Sequence, residues 1–366
     1  MSLDLQFVCD AFHISGHPVA VEEIKSGHIN TTYKMTVSLG DKEQPYIVQR
    51  INTSIFKNAD GLMTNIRDVT EYLRKCYISK GIRPDRYVLQ FLEVSPGCNY
   101  YVDAEKNYWR TYYFVDRSVT YDSTSDPSVL RSAGKAFGEF QMQLAGFDAS
   151  HLTETIPNFH NTVARFETFA KHVKEDPTGR VKSSSKEIDF YLSHEEIGTR
   201  ITRLQQEGKL PLRVTHNDTK CNNVLFDEET NAPLAVIDLD TIMPGLSVHD
   251  FGDAIRFAAN TAAEDEKDLS KVSCDLSLFR AFAEGFISKT AGALTETELA
   301  NMALGAFVMT YECGMRFLDD YLCGDTYFRI AYPEHNLVRS RNQMALAQDM
   351  LDKMDRMNQI IKEIQN

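Results

Sequence analysis

The sequence predicts an α+β protein of two lobes: a small antiparallel β-sheet lobe with one helix over residues 1–116, then a larger, mostly helical lobe over residues 117–366. Three observations predict it. Much of the first third alternates apolar and polar residues or is rich in β-branched ones, the pattern of strands whose successive side chains face opposite ways. One long stretch with apolar residues three and four apart interrupts that pattern. Beyond Asp116, helical spacing dominates.

Residues 19–25, 31–37 and 46–51 read as the first three strands, separated by Ser26-Gly27-His28-Ile29-Asn30 and Leu39-Gly40-Asp41. Leu62, Ile66, Val69 and Leu73 share one face of a helix predicted over 59–80. Strands over 86–94, 100–103 and 109–114 complete the small lobe. Past Val115-Asp116-Arg117, Asp126 caps a helix and Pro127 opens it, because proline's missing N–H has no partner in a first turn anyway. A further helix is expected over 185–206, stopping near Gly208 and Pro211. Thr295-Glu296-Thr297-Glu298 is a capping box opening a long helix that carries Met302, Phe307, Met309 and Arg316, and the tail from 336 is helical.

The chain has 366 residues, 43% of them hydrophobic and 25% charged, which is enough for two lobes. Its formal net charge of −13 argues against nucleic acid as the main partner, because phosphate backbones select basic surfaces. A nucleotide is not excluded, since a few local cations and a divalent ion outweigh a global acidic field. Seven scattered cysteines, without a C-x-x-C pair, fit reduced thiols in a cytoplasm. No apolar stretch approaches the roughly 20 residues that span a bilayer, and the first residues lack the features of an export signal. The expectation is a cytoplasmic protein without a membrane partner, with a monomer favoured.

The densest chemistry lies in Val214-Thr215-His216-Asn217-Asp218-Thr219-Lys220-Cys221-Asn222-Asn223-Val224-Leu225, followed by Ala235-Val236-Ile237-Asp238-Leu239-Asp240. Asp218 to Asn223 has the D-x-x-x-x-N spacing of a kinase catalytic loop, and the second acidic motif opens 20 residues past Asp218. Each residue type suits phosphoryl transfer. A carboxylate such as Asp218 orients an attacking hydroxyl and takes its proton. The amide oxygen of Asn223 and the carboxylate of Asp238 are hard ligands of the kind Mg²⁺ prefers. Lys220 can meet charge on the transferred phosphoryl group. A loop between two strands with capping Asp and Asn residues would not place His216, Asp218, Lys220, Asn223 and Asp238 in register. His216 is read as holding the loop by hydrogen bonds, and Cys221 as a small filler.

There is no phosphate-binding G-x-x-x-x-G-K-[ST] segment. The loop Ser26-Gly27-His28-Ile29-Asn30 could fold over phosphates or substrate, or be a plain turn. Gln49 stands on the third strand where protein-kinase-like chains carry a phosphate-pairing Lys. Alternation points Arg50 to the other face, so Lys220 and the metal are expected to carry the phosphate charge. His249-Asp250-Phe251-Gly252-Asp253 contains a literal D-F-G, but Asp238 follows an apolar strand end and is the better metal ligand. Asp250 is expected to cap the next helix and brace the catalytic loop. Asp240 is either an acceptor close to the site or a solvated turn carboxylate. Arg316 has Glu312 and Asp320 four residues away on either side, a spacing that favours a salt-bridge ladder over a substrate donor.

These motifs resemble the aminoglycoside/choline-kinase-type phosphotransferase family. The strings Gly27-His28-Ile29-Asn30-Thr31-Thr32-Tyr33, Thr215-His216-Asn217-Asp218-Thr219-Lys220, Ile237-Asp238-Leu239-Asp240-Thr241-Ile242-Met243-Pro244-Gly245, Glu312-Cys313-Gly314-Met315-Arg316-Phe317 and Tyr332-Pro333-Glu334-His335-Asn336-Leu337 extend the resemblance over nearly the whole chain, and they look like the members that act on N-acetylated hexosamines. The resemblance implies a protein-kinase-like bilobal fold. It also implies transfer of the ATP γ-phosphate, with Mg²⁺, to the anomeric hydroxyl of N-acetylglucosamine or N-acetylgalactosamine. On matching positions, Asp218 is the base and Asn223 and Asp238 hold Mg²⁺. Gly27, Phe114, Val115 and Asp116 meet the nucleotide, and His28, Asn30, Asp218, Phe257, Arg316 and Tyr327 line the sugar pocket. On this basis Arg316 moves from ladder to pocket. Other acceptors (an amino alcohol, an aminoglycoside or another hexose) and a nucleotide-binding pseudokinase are the competing readings.

Overall fold

A computed structural model describes residues 4–25, 29–290 and 292–365. In chain order the elements are α1 (Gln6–Ala11), β1 (His17–Ile24), β2 (Thr31–Ser38), β3 (Glu43–Ile51), α2 (Ala59–Ser79), β4 (Tyr101–Val102), β5 (Tyr108–Tyr113), β6 (Ser118–Val119), α3 (Pro127–Gln143), α4 (Thr162–Glu175), α5 (Ser185–Ser193), α6 (Glu195–Gly198), α7 (Arg200–Gln206), β7 (Arg213–Thr215), β8 (Val224–Asp227), β9 (Pro233–Val236), β10 (Met243–Gly245), α8 (Ser247–Ala258), α9 (Leu276–Thr290), α10 (Glu296–Ala300), α11 (Met302–Leu322), α12 (His335–Asp352) and α13 (Met354–Gln365). Among the described residues no helix is long and apolar enough to cross a membrane.

The chain divides into two compact units, the first comprising Met1–Val119, Gly146–Pro157 and Leu225–Pro244. Its five-stranded sheet has the order β1-β2-β3-β5-β4, with every neighbouring pair antiparallel. Helix α1, which strand-period reading passes over, closes one end of this core. It buries Val8 and Cys9, with Leu5 and Phe12 flanking them, against Met35, Val37, Tyr46, Val48 and Trp109. Helix α2 buries the expected stripe Leu62, Ile66, Val69 and Leu73, and its N-terminus is capped by the Asn58 side chain accepting from Gly61 N–H.

The strand expected over 86–94 does not form. Pro84 opens a short 3₁₀ turn, and the segment beyond it touches β5 only around Phe91, opposite Tyr112. The free edge of β5 is divided: Tyr101 and Val102 pair with Trp109 and Tyr108 at one end, and Phe91 takes the other. Neither segment has room to extend.

The second unit comprises Thr120–Ala145, Asn158–Val224 and Gly245–Asn366. Helix α3 begins as expected, with Asp126 capping and Pro127 in its first turn. The helix expected over 185–206 is three short ones. Gly198, at the end of α6, sits so close to the Tyr311 ring that a Cβ there would lie 2.4 Å from it, and at the end of α5 the Phe190 carbonyl takes the Ser193 and His194 side chains as well as the His194 N–H. The capping box at Thr295 and Glu298 is present, although its helix breaks at Asn301 into α10 and α11. Helix α11 is buried along most of its length. Helix α8 lies against it at a glycine crossing, where a Cβ on Gly252 would stand 2.3 Å from the Gly305 carbonyl oxygen. That contact fixes α8, the helix that carries Asp250 and Asp253.

Candidate active site

In the second unit the loop between β7 and β8 carries Asp218, Lys220 and Asn223. It makes its turn at Asn217, a residue in the left-handed conformation (φ 63°) that asparagine tolerates better than most. Two carboxylates three residues apart on one face of α8 grip its backbone. Asp250 accepts the N–H groups of His216 (2.9 Å) and Asn217 (2.7 Å), and Asp253 accepts that of Thr219 (3.0 Å). The Thr219 hydroxyl donates back to the Asp250 carbonyl at 2.5 Å. Asp250 therefore braces the loop as expected. It does not cap α8, because the helix starts earlier, at Ser247, and takes Asp250 into its first turn. The D-F-G phenylalanine, Phe251, is core, packed against Phe279, Phe282 and Phe286. His216 is fully buried between Phe137 and Phe140 and accepts the Asp218 N–H through Nδ1 at 3.3 Å, the loop-holding role expected of it.

The loop brings its predicted residues together. Lys220 Nζ lies 2.8 Å from Asp218 Oδ1, and Asn223 Nδ2 donates to Asp218 Oδ2 at 3.2 Å and to the Asp218 carbonyl at 2.8 Å. Burial pushes the Asp218 carboxyl up, but the Lys220 ammonium outweighs it and holds Asp218 below the usual carboxylate range. Burial works against the Lys220 charge, while Asp218 and Asp253 keep it protonated well above the usual lysine range. Asp218 is thus a carboxylate at neutral pH, the form a proton acceptor needs. Among the described residues no donor reaches Asn223 Oδ1, because its amide nitrogen faces Asp218. That leaves a hard oxygen of the kind Mg²⁺ takes. Burial pushes the Cys221 thiol up to about 12, so it stays protonated and is no nucleophile.

Phe257, on α8, has the Lys220 ammonium 5.2 Å from its ring centre and the Arg256 guanidinium at 3.8 Å. The Arg316 ladder does not form. Glu312 is claimed by His160 Nδ1 (2.9 Å) and the Thr162 hydroxyl (2.6 Å), and Asp320 by the N–H groups of Thr326, Tyr327 and Phe328. Arg316 is left over the rings of Phe159, Tyr327 and Phe328, at 5.8, 5.7 and 5.4 Å. This cluster connects to the loop through Phe159, whose ring packs at a tilt against His160, whose Nε2 lies 3.2 Å from the Asn217 carbonyl. Both His160 nitrogens thus face oxygen atoms of the protein.

In the first unit Asp238 follows β9 in the left-handed conformation (φ 57°) and opens a 3₁₀ turn through Thr241. Its side chain is exposed, whereas Asp240 is buried, which excludes the solvated alternative for Asp240. Asn30 lends its amide nitrogen to Asp240 (2.5 Å) and its oxygen to the Asn52 N–H (2.9 Å). Gly27 and His28 lie outside the described residues. Of the residues expected to meet the nucleotide, Phe114 is tied to β3 by its N–H to the Pro45 carbonyl (3.2 Å) and lies under Lys34. The Val115 carbonyl accepts from the Ser118 hydroxyl, and the exposed Asp116 accepts from Arg86 through its carbonyl.

Sequence reasoning missed Arg110, Asp253 and His160. Asp253 had a signal, its three-residue spacing from Asp250 on one helix. Arg110 had only its place in an otherwise aromatic strand, and His160 had none.

A family model described as the phosphotransferase enzyme family matches residues 20–273, well over half of the chain. Among solved structures, a microcompartment-associated aminopropanol kinase superposes with a TM-score of 0.63 at 14% identity, over 97% of this chain and 99% of that one. A spectinomycin phosphotransferase, solved with ADP and spectinomycin, gives 0.60 at 9% identity over 97% and 99%. Choline kinase from Cryptosporidium parvum gives 0.54 at 14% identity over 95% and 93%. The shared feature is the protein-kinase-like α+β fold.

Proposed function

Because the chain belongs to the phosphotransferase enzyme family, a small-molecule kinase family, we propose that it transfers the γ-phosphate of ATP to the anomeric C1 hydroxyl of N-acetylglucosamine or N-acetylgalactosamine. The products are the α-1-phosphate and ADP. The observation that carries phosphoryl transfer is the Asp218–Lys220–Asn223 cluster, with an ionised carboxylate, an ammonium 2.8 Å from it and an amide whose nitrogen is turned to Asp218. Asp218 orients the C1 hydroxyl and accepts its proton as the new O–P bond forms and the bond to the ADP oxygen breaks. Lys220 stabilises charge on the transferring group. Asn223 and Asp238 are the residues that would hold Mg²⁺, which when bound would neutralise charge on the phosphate oxygens.

The acceptor is argued from the Arg316 cluster. An amino alcohol or an aminoglycoside carries positive charge and needs anionic walls. Glu312 and Asp320 are both consumed internally, Arg256 and Lys220 are paired with acids of their own, and Arg316 is left against aromatic rings. Rings and a guanidinium suit neutral sugar hydroxyls and an acetamido carbonyl. The resemblance of the long strings around Asn30, Asp218 and Arg316 supports the same reading, as does the place it gives to Gly27, His28, Phe114, Val115, Asp116, Phe257 and Tyr327.

The test is an acceptor panel read by ADP release, with N-acetylhexosamines, free hexoses, choline, aminopropanol and spectinomycin. Proton and phosphorus NMR of the product should show an α-linked 1-phosphate. Turnover confined to the amines would overturn the acceptor assignment.

A further inference from the structure

The strand position at which a phosphate-pairing lysine was missing holds Gln49, and the structure shows where a cation stands instead. Arg110 on β5 lies directly opposite Gln49 in the antiparallel pair. It is 2% exposed, donates from Nε to Gln49 Oε1 at 2.9 Å, and forms an ion pair through Nη1 with Asp240 Oδ1 at 2.5 Å. Gln49 in turn donates to the Thr32 hydroxyl at 3.1 Å.

Asp240 is fixed on every side. Its second carboxylate oxygen accepts from Asn30, and its carbonyl accepts from the Thr155 hydroxyl at 3.2 Å. Two residues on, the Ile242 carbonyl accepts from Asn65 of α2 at 2.9 Å. The turn that starts at Asp238 is therefore pinned at 240 and 242 to the sheet, to Asn30 and to a helix, while Asp238 itself is exposed.

Two simpler roles do not fit. Arg110 cannot serve as an exposed phosphate cation, since it is buried with Nη1 and Nε committed to protein acceptors. Asp240 is poorly placed to serve as a second ligand of an ion beside Asp238, since it is buried and each of its oxygens already takes a donor, from Arg110 and from Asn30.

We infer that Arg110 is a positioning residue: through Asp240 it fixes the left-handed turn at Asp238 and neutralises the second of two neighbouring carboxylates, so that Asp238 alone is presented to a divalent cation. The inference rests on the reading of Asp238 as a metal ligand. The cation that the third strand lacks is on the next strand and acts on the metal turn instead of on phosphate.

The test uses the full chain and measures ADP binding by calorimetry without metal and with Mn²⁺. For the unaltered protein Mn²⁺ tightens ADP binding, and Asp238→Asn removes that gain. Removing one member of a buried ion pair leaves a buried charge alone, so Arg110→Met by itself can fail to fold. The informative variant is the double replacement Arg110→Met with Asp240→Leu, which takes out both charges. Expected is cooperative melting, metal-free ADP affinity within about twofold, and a Mn²⁺ gain reduced about tenfold or more. Arg110→Lys keeps the charge but reaches only one of its two acceptors, and should lose about three- to tenfold of the gain. A folded double variant, or Arg110→Lys, with the full Mn²⁺ gain overturns the positioning role. If Asp238→Asn keeps the gain, the metal-ligand reading fails and the inference falls with it.

Discussion

The loop at 216–223 and the turn at 238–242 each present one carboxylate from an irregular segment, and they are held by opposite chemistry. The loop offers backbone N–H groups to its scaffold, and the scaffold answers with carboxylates, Asp250 and Asp253. The turn offers a carboxylate and carbonyls, and the scaffold answers with donors: Arg110, Asn30, Thr155 and Asn65. Both solutions pair these backbone and side-chain groups with partners of the opposite kind, as a low-dielectric surrounding favours. Their consequences differ. The loop's supports are titratable acids and histidines, whereas the turn's are groups that keep one protonation state across the accessible pH range.

The largest effect belongs to the loop itself. Asp218→Asn keeps the shape and removes the proton acceptor, so kcat should fall by about 10²–10⁴-fold while ATP still binds. Undiminished turnover would break the assignment of the base. The comparison is sharpened by changing one support on each side. Asp250→Asn turns an amide nitrogen toward loop N–H groups and leaves a buried donor unpaired, which should cost about 1–3 kcal/mol of stability along with activity. Thr155→Val on the turn removes one neutral donor at 3.2 Å and should cost about 1 kcal/mol or less. Denaturant melts of the two variants check the ordering.

Arg316→Met addresses the acceptor side. It should raise KM for the N-acetylhexosamine about tenfold or more while leaving KM for ATP near its original value, because a lost bond to bound acceptor is a loss of about 1.4 kcal/mol or more. An equal rise in both constants would remove Arg316 from the sugar pocket. Lys220→Met gives a subtler signature beside its loss of kcat. Without the ammonium, burial is opposed only by the weaker pull of His216 and Arg256, so the Asp218 pKa rises and the acid limb of the pH–rate profile moves to higher pH. An unmoved limb would mean that Lys220 does not set the charge of Asp218.

Much of the loop was legible because its chemistry is local. Asp218, Lys220 and Asn223 fall within one short run, and the side chains of that run touch one another in the structure. The turn was legible only as a pair of acidic residues. Its key partner, Arg110, lies 130 positions away, and no local period marks a contact of that range. Arg316 shows the reverse failure: its four-residue spacing to Glu312 and Asp320 is real, yet His160 and Thr162 on one side and the 326–328 backbone on the other compete successfully for both acids. Strands β1 to β3 followed from alternation, whereas the segment at 86–94 was misread because strand pattern does not reveal that the edge of β5 is already shared.

The smallest effect separates the two scaffolds by acid. His249 on α8 is fully enclosed, its Nε2 has no hydrogen-bond partner, and its ring packs edge-on to His160, which holds the Asn217 carbonyl. Burial first, and then the neighbouring His160, pull its pKa down from 6.5 to about 3. The folded protein therefore keeps His249 neutral where the unfolded chain binds a proton. The stability this contributes is fully present above pH 6.5 and is lost as pH falls toward 3, at a slope of at most about 1.4 kcal/mol per pH unit. Glu312, held far below the usual carboxylate range despite burial by His160 and Arg165, loses its contribution only below its ordinary pKa of 4.5. Between pH 6.5 and 5 the histidine dominates. His249→Leu should flatten the fall in stability across that interval, measured by urea melts at successive pH values, while Thr155→Val on the turn should shift the curve down without changing its slope. A His249→Leu curve parallel to the parent's would show that the loop scaffold is no more acid-sensitive than the turn's.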